Sequence, residues 1–271
     1  MPDTPAFYAM PAVYDVLHSA GTAAEVDTLE RIERDHVRAG GTPRAWLEPA
    51  CGTARLLRVA AGRGRHVVGF DLRPEMIEYA SRRVAAALAR RGPRAARPRA
   101  HLFVADMAGF ARRMRARSVD LAFNLINTIR HLPDDRSMLR HFADVARVLR
   151  PGGVYAVGIS LSSYANEIPT EDIWLGRRGG LTVRQVVQYL PAPGGRGRAA
   201  RLERCVNHMT VSRPRLETGH DFVFDLRAYD LRQWRALVGR SRLAITAVLD
   251  DAGAPIEPSE PGYAVFVLRP R

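Results

Sequence analysis

Lysine is absent: all 41 cationic side chains of this 271-residue chain are arginine. A formal charge of +13 would ordinarily suggest a nucleic-acid partner through counterion release. A complete preference for arginine, beside abundant Ala, Gly and Pro, instead follows from GC-rich triplets. The arginines are spread along the chain, densest at Arg90-Arg91, Arg94, Arg97 and Arg99 and at Arg112, Arg113, Arg115 and Arg117, and solvated surface ranks ahead of an RNA track. Cysteine is nearly absent too. Cys51 and Cys205 form no CxxC pair, so neither a disulfide framework nor a structural zinc site has support, and two reduced thiols are expected. No apolar run approaches the length of a membrane span. The start, MPDTPAFYAMPAVYD, has Pro, Asp and Tyr where a signal peptide would have a basic and then an apolar region, so a cytoplasmic protein is expected. There is no internal repeat.

What is present is alternation of short apolar runs and helical stretches from residue 45 to about 160, the pattern of a mostly parallel α/β sheet. The strands read as 45–47, 66–70, 100–104, 119–123 and 153–159. Before the last of these, Met138, Leu139, Phe142, Val145, Ala146 and Leu149 keep one apolar helix face, and Pro151-Gly152-Gly153 is expected to stop that helix. Residues 165–226 break the pattern with three alternating strands, 181–190, 201–212 and 217–226. A helix at 228–238 and strands at 242–249 and 263–268 follow, the last entering antiparallel. A helix at 20–38 precedes the first strand and is expected to fold over its C-terminal edge. The expected organisation is one domain over 1–271: an N-terminal lid at about 1–40, a core at 44–160, a β insertion at 165–226 and a C-terminal part at 227–271.

The turn after the first strand, Glu48-Pro49-Ala50-Cys51-Gly52-Thr53-Ala54, occupies the place where an open sheet brings backbone against a ligand. It lacks the GxGxxG that seats a pyrophosphate on a helix N-terminus. A carboxylate, Glu48, stands at its start instead. That suits a cationic ligand such as S-adenosylmethionine, which has an ammonium and a sulfonium and no phosphate. Asp71 ends the second strand 23 residues after Glu48, near the spacing that sets a carboxylate on ribose hydroxyls. Asp106 ends the third, placed to accept from an adenine amino group, with Met107 to pack on the ring. Taken singly, each aspartate is more simply a turn former or helix cap.

Taken together, LEPACGTARL at 47–56, VVGFDLRPEMIEYA at 67–80, LFVADM at 102–107 and LRPGG at 149–153 resemble the class I S-adenosylmethionine-dependent methyltransferase family. The resemblance covers residues 12–160, and 225–268 more loosely. Pro49 and Ala50 replace a frequent Gly, and so does Ala54, which narrows the approach to methionine. The resemblance implies a Rossmann-like seven-stranded methyltransferase sheet with helices on both faces and a small antiparallel β insertion. It implies that Glu48, Ala50 and Gly52 meet the methionine and ribose side of S-adenosylmethionine, Asp71 and Leu72 the ribose and adenine, and Asp106 and Met107 the adenine. Asn124 would approach the methionine moiety through its backbone. Met76 either lines the adenine pocket or is core. Tyr14 either contacts the methionine carboxylate or anchors its helix.

Methyl transfer is an in-line displacement in which a protein aligns the partners, excludes water and supplies a base where one is needed; no metal is required. The segment Asn124–His131 is not the Asn/Asp-Pro-Pro-Tyr signature of nucleic-acid amino methyltransferases. His131 is the candidate acceptor-side base or orienter, the alternative being a cap on the following helix. Ser160, Ser162, Tyr164, Glu171 and Trp174 lie where the acceptor pocket is expected. The inserted strands resemble those that cover the acceptor and pair subunits in small-molecule methyltransferases. The leading expectation is therefore a small-molecule N or O acceptor and a homodimer. The runners-up are an RNA or protein methyltransferase and a catalytically silent S-adenosylmethionine-binding module.

Overall fold

Five strands, β1 (Ala45–Pro49), β2 (His66–Asp71), β3 (Ala100–Val104), β4 (Val119–Asn124) and β5 (Leu149–Leu161), pair in parallel. The computed structural model describes residues 6–38, 40–90, 98–195 and 197–271, so Arg91, Arg94 and Arg97 lie outside the described residues. Every residue of β4 is buried, because helices cover both faces of the sheet; such strands read as continuous apolar runs. On one face α2 (Thr22–His36), α3 (Arg55–Gly62) and α4 (Pro74–Ala89) pack over Trp46, Val67, Leu121 and Phe123. On the other, α5 (Asp135–Val148) and α6 (Leu231–Gly239) pack over Leu47, Phe70 and Tyr155. The sheet is completed by β10 (Leu243–Leu249) and β11 (Gly262–Pro270), in the order β10-β11-β5-β4-β1-β2-β3, with β11 antiparallel to both neighbours. Strand order reverses between β1 and β4, which places a ligand crevice beyond their carboxyl ends.

The insertion is a separate antiparallel sheet of four strands, β6 (Thr170–Arg178), β7 (Leu181–Leu190), β8 (Leu202–Arg213) and β9 (Leu216–Arg227). Only three were expected. The first is an edge strand exposed at most positions, so it shows little of the apolar alternation that marks a half-buried strand. Its inner face closes on α1 (Pro11–His18), a helix hidden in the sequence by its N-terminal proline and eight-residue length. Gly176 makes this contact possible: a Cβ there would lie 2.7 Å from Leu17 Cα. Thus α1, not α2, is the element under the inserted sheet, while α2 packs on the core face with α3.

One further expectation is corrected. The α5 helix ends at Val148, and Pro151-Gly152-Gly153 lies inside β5, whose register against β4 shifts between Val119 and Leu121. A Pro and two glycines are tolerated in a strand where pairing is irregular. Among the described residues no helix is long and apolar enough to cross a membrane.

Candidate active site

A cavity of about 340 Å³ lies at the strand-order reversal. Its floor is the β1 turn with Glu48, Ala50 and Cys51, one wall is the β4 turn from Leu125 to Thr128, and its roof is the inner face of the inserted sheet. Phe7, Tyr8, Tyr14 and His18 close the remaining side. The β1 turn is tied back by Cys51 N–H donating to Phe70 O (2.8 Å) and Ala54 N–H to Cys51 O (2.8 Å). Gly52 has φ +52°, and the Tyr14 ring edge lies 3.4 Å from where a Cβ would stand, so the turn presents bare backbone beside this phenol. Ala50 (φ 49°) and Ala54 (φ 54°) adopt the same left-handed conformation without being glycine, which costs about 1–2 kcal/mol each. The backbone shape survives both replacements. Ala54 is fully buried and does not line the cavity, so its methyl does not narrow it.

The floor is acidic. Arg55 is the cation facing it, and Glu25 holds Arg55 through a two-pronged bridge at 2.5 and 2.7 Å. Glu48 Oε2 is enclosed without a hydrogen-bond partner. Burial raises the Glu48 carboxyl to about 8, the charge of Arg55 opposing and those of Glu25 and Asp71 adding. Burial also pushes Tyr14 up to about 12. An uncompensated buried carboxyl takes up a proton unless a cation is brought to it.

Asp71 and Asp106 stand apart from this cavity. Asp71 accepts from Gly52 N–H and Arg73 N–H, both at 2.9 Å, so one carboxylate joins the β1 turn to the entry of α4. Burial raises its pKa, and these backbone bonds oppose the rise. Leu72 is 48% exposed beside it. Asp106 is exposed and accepts from Ala108 N–H (2.7 Å). The two strand ends with Leu72 form an open shelf, whereas Met76 is 1% exposed and belongs to the interior.

Asn124 and Met107 are joined by buried groups that sequence reasoning missed. Asn124 Nδ2 donates to Pro49 O (2.6 Å), Tyr155 Oη to Asn124 Oδ1 (2.6 Å), and His141 bridges Tyr155 Oη (2.8 Å) and Met107 O (2.9 Å). The Asn124 side chain therefore ties the end of β4 to the β1 turn. Both ends of this row are carbonyl acceptors. Four contacts need four protons, and a neutral imidazole leaves three, whichever way the amide is turned. Burial lowers His141 to about 4, the Met107 carbonyl and Asp106 opposing. Hydrophobic neighbours at helical spacing disguised His141 as an ordinary α5 position.

His131 ends the 3₁₀ turn Thr128–His131 and lines the cavity, with Phe224 5.5 Å and Tyr8 6.1 Å from its ring. It is not a helix cap: Asp134 caps α5 by accepting from Ser137 N–H (2.8 Å). Although His131 is solvent-accessible where it faces the cavity, desolvation by the surrounding protein, with Arg130 adding, lowers its pKa to about 4, so the ring is neutral at neutral pH. Tyr14 lines the cavity and packs on Phe7 and His18, which anchors α1. Of the other acceptor-side candidates only Trp174 reaches the cavity. Ser160 binds Asn127, Ser162 binds Tyr164 N–H, Tyr164 binds Ala228 O and Gln233, and Glu171 is exposed. Gln185 and Asn207, read from the sequence only as strand positions, are buried on the roof.

Residues 47–153, which carry the floor of this cavity and the shelf, match the family model described as a methyltransferase domain. No curated protein matches the chain. Solved structures share its fold almost end to end. DesVI of Streptomyces venezuelae is 20% identical, with TM-score 0.72 over 96% of this chain and 98% of that one. The sugar N-methyltransferase KedS8 of Streptoalloteichus is 23% identical, with TM-score 0.65 over 97% and 91%. The amino pentose methyltransferase CalS10 of Micromonospora echinaspora, solved with S-adenosylmethionine bound, is 20% identical, with TM-score 0.66 over 96% and 96%.

Proposed function

We propose that this chain is a class I S-adenosylmethionine-dependent methyltransferase that acts on an amine or hydroxyl of a small molecule held in the cavity between the β1 turn and the inserted sheet. The observation that carries the reading is the enclosure itself. About 340 Å³ lies in the range of small-molecule sites and is roofed by four strands, which suits a metabolite and not a polymer.

The donor fits the floor. Glu48 has an enclosed, unpartnered carboxylate oxygen, which a ligand bearing an ammonium and a sulfonium would satisfy. Ala50, Gly52 and Tyr14 would hold the methionine end, with Asn124 keeping the β1 turn in place through Pro49. Asp71 and Leu72 would hold the ribose side, and Asp106 and Met107 the adenine on the shelf; Met76 supports that shelf from within. When bound, S-adenosylmethionine supplies a methyl group made electrophilic by its sulfonium. The chain's own part is to place the acceptor, keep water out and receive a proton. Neutral His131 can accept the acceptor's proton on a ring nitrogen, while Tyr8 and Phe224 fix its plane.

An amine is favoured over other acceptors because the solved structures of this fold include a sugar N-methyltransferase, an amino pentose methyltransferase and a glycopeptide N-methyltransferase. The outer face of the inserted sheet exposes Ile173 (59%), Leu175 (51%) and Val223 (51%), a surface suited to a homodimer. The role of His131 is tested by turnover against pH for wild type and His131→Ala. The expected loss in kcat is about 10²-fold or more, the usual contribution of a positioned base, with affinity for S-adenosylhomocysteine unchanged. Equal rates and profiles would sink it.

A further inference from the structure

The inner face of the inserted sheet is apolar at Val183, Val187, Cys205, Met209 and Val211, all buried, yet it carries two amides, Gln185 and Asn207, that are 5% and 2% exposed. Buried amides in such a face weaken packing unless their hydrogen bonds are made. Their orientation is fixed by a short chain of bonds. Asn207 Nδ2 donates to Cys205 O (3.1 Å), which turns Asn207 Oδ1 toward Gln185. Gln185 Nε2 donates to that oxygen (2.7 Å). The order of donors leaves Gln185 Oε1 as the carbonyl without a protein partner. Both residues line the cavity on its roof, opposite the Glu48 floor.

We propose that Gln185, oriented by Asn207, is a specificity-determining residue of the acceptor site, its Oε1 accepting from a hydroxyl or N–H of a neutral acceptor. This rests on the small-molecule reading above. The chemistry around the pair agrees with an uncharged partner. His18 and His131 are each lowered to about 4 by burial and are therefore neutral, and the acids of the lining, Glu25 and Glu48, belong to the floor, where Arg55 answers Glu25. A site built to accept one substrate hydroxyl rejects the analogue lacking it, because its own acceptor is then left unpaired.

The test uses full-length protein, S-adenosylmethionine and a panel of methyl glycosides of amino sugars, each lacking one hydroxyl of a parent compound and assayed at a pH where the amine is unprotonated. For wild type we expect one position whose removal raises the acceptor KM about tenfold or more, consistent with the loss of a buried hydrogen bond. In Gln185→Leu that dependence disappears; in Asn207→Leu, which frees the Gln185 amide to turn, it weakens. The dissociation constant of S-adenosylhomocysteine stays within about twofold in both, and the melting temperature of Gln185→Leu falls modestly, because Asn207 Oδ1 loses its donor. A purely structural role would lower the melting temperature and leave the hydroxyl dependence intact, so the hydroxyl dependence is the deciding readout. If Gln185→Leu retains the wild-type dependence, the inference is overturned while the methyltransferase reading stands. If wild type binds S-adenosylhomocysteine yet methylates no panel member and transfers methyl to RNA or protein, the small-molecule reading falls and takes the inference with it.

Discussion

In the proposed function, Glu48 is the residue on which donor binding turns. Its folded-state pKa of about 8 lies above the ordinary 4.5, so the folded chain holds a proton that the unfolded chain releases. The stability it contributes is fully present below pH 4.5 and lost as pH rises through about 8. Thermal melts of the ligand-free protein should therefore fall across that window, and Glu48→Gln should flatten the part due to this group. A cation brought to the floor favours the carboxylate, so binding S-adenosylmethionine near neutral pH should release protons, read by calorimetry in buffers of different ionisation enthalpy. In Glu48→Gln that release should vanish and affinity should drop about tenfold, equivalent to about 1.4 kcal/mol; unchanged proton release would contradict the assignment. Glu48 was legible as a candidate because it opens the β1 turn without GxGxxG. Its protonation was not, since that depends first on burial in the folded chain and then on the charges of Arg55, Glu25 and Asp71 brought around it.

At the scale of elements, α1 is held by one buried carboxylate. Asp15, fully buried, accepts from Arg178 of β6 (2.6 Å) and Tyr79 of α4 (2.9 Å), with Arg58 and Arg83 each at 3.6 Å. Burial works against the charge, but Arg178 and Arg58 hold the Asp15 carboxyl below its ordinary value. Asp15→Ala leaves several arginines facing an empty buried site. It should cost about 3 kcal/mol in denaturant unfolding and speed hydrogen exchange in α1 before that of the core strands; retained protection of α1 would refute the tether. Beneath the floor, Tyr155→Phe strands Asn124 Oδ1 and a ring nitrogen of His141. A loss of about 1–3 kcal/mol is expected for these unsatisfied groups, measured by melting and equilibrium unfolding; a variant as stable as wild type would show that the row does not brace the turn. Neither tether could be read from the sequence. Asp15 looked like one acid in YDVLH, and the Asp15–Arg178 contact spans 163 positions. The core strands were legible because burial on both faces leaves unbroken apolar runs, whereas β6 and α1 lack the periodicity that reveals a half-buried element.

Across the whole molecule, the inserted sheet has two unlike faces. Its inner face supplies the roof of the cavity, and its outer face exposes Ile173, Leu175 and Val223. If the outer face pairs subunits, sedimentation should show a dimer that Val223→Asp converts to monomer without altering affinity for S-adenosylhomocysteine, since Val223 does not line the cavity; a dimer that withstands the substitution would place the interface elsewhere. The overall architecture was legible because LEPACGTARL, Asp71 and Asp106 mark successive strand ends in order. The residues proposed for the acceptor side were hidden because Gln185, Asn207 and His131 come to line one cavity only when the insertion folds back over the β4 turn. The arginine excess, read as solvated surface, makes the polymer alternative a direct comparison. With methyl-labelled S-adenosylmethionine and equal amounts of small amines, RNA and unrelated protein, label should appear on a small amine together with one equivalent of S-adenosylhomocysteine. Label confined to RNA or protein would contradict a small-molecule methyltransferase.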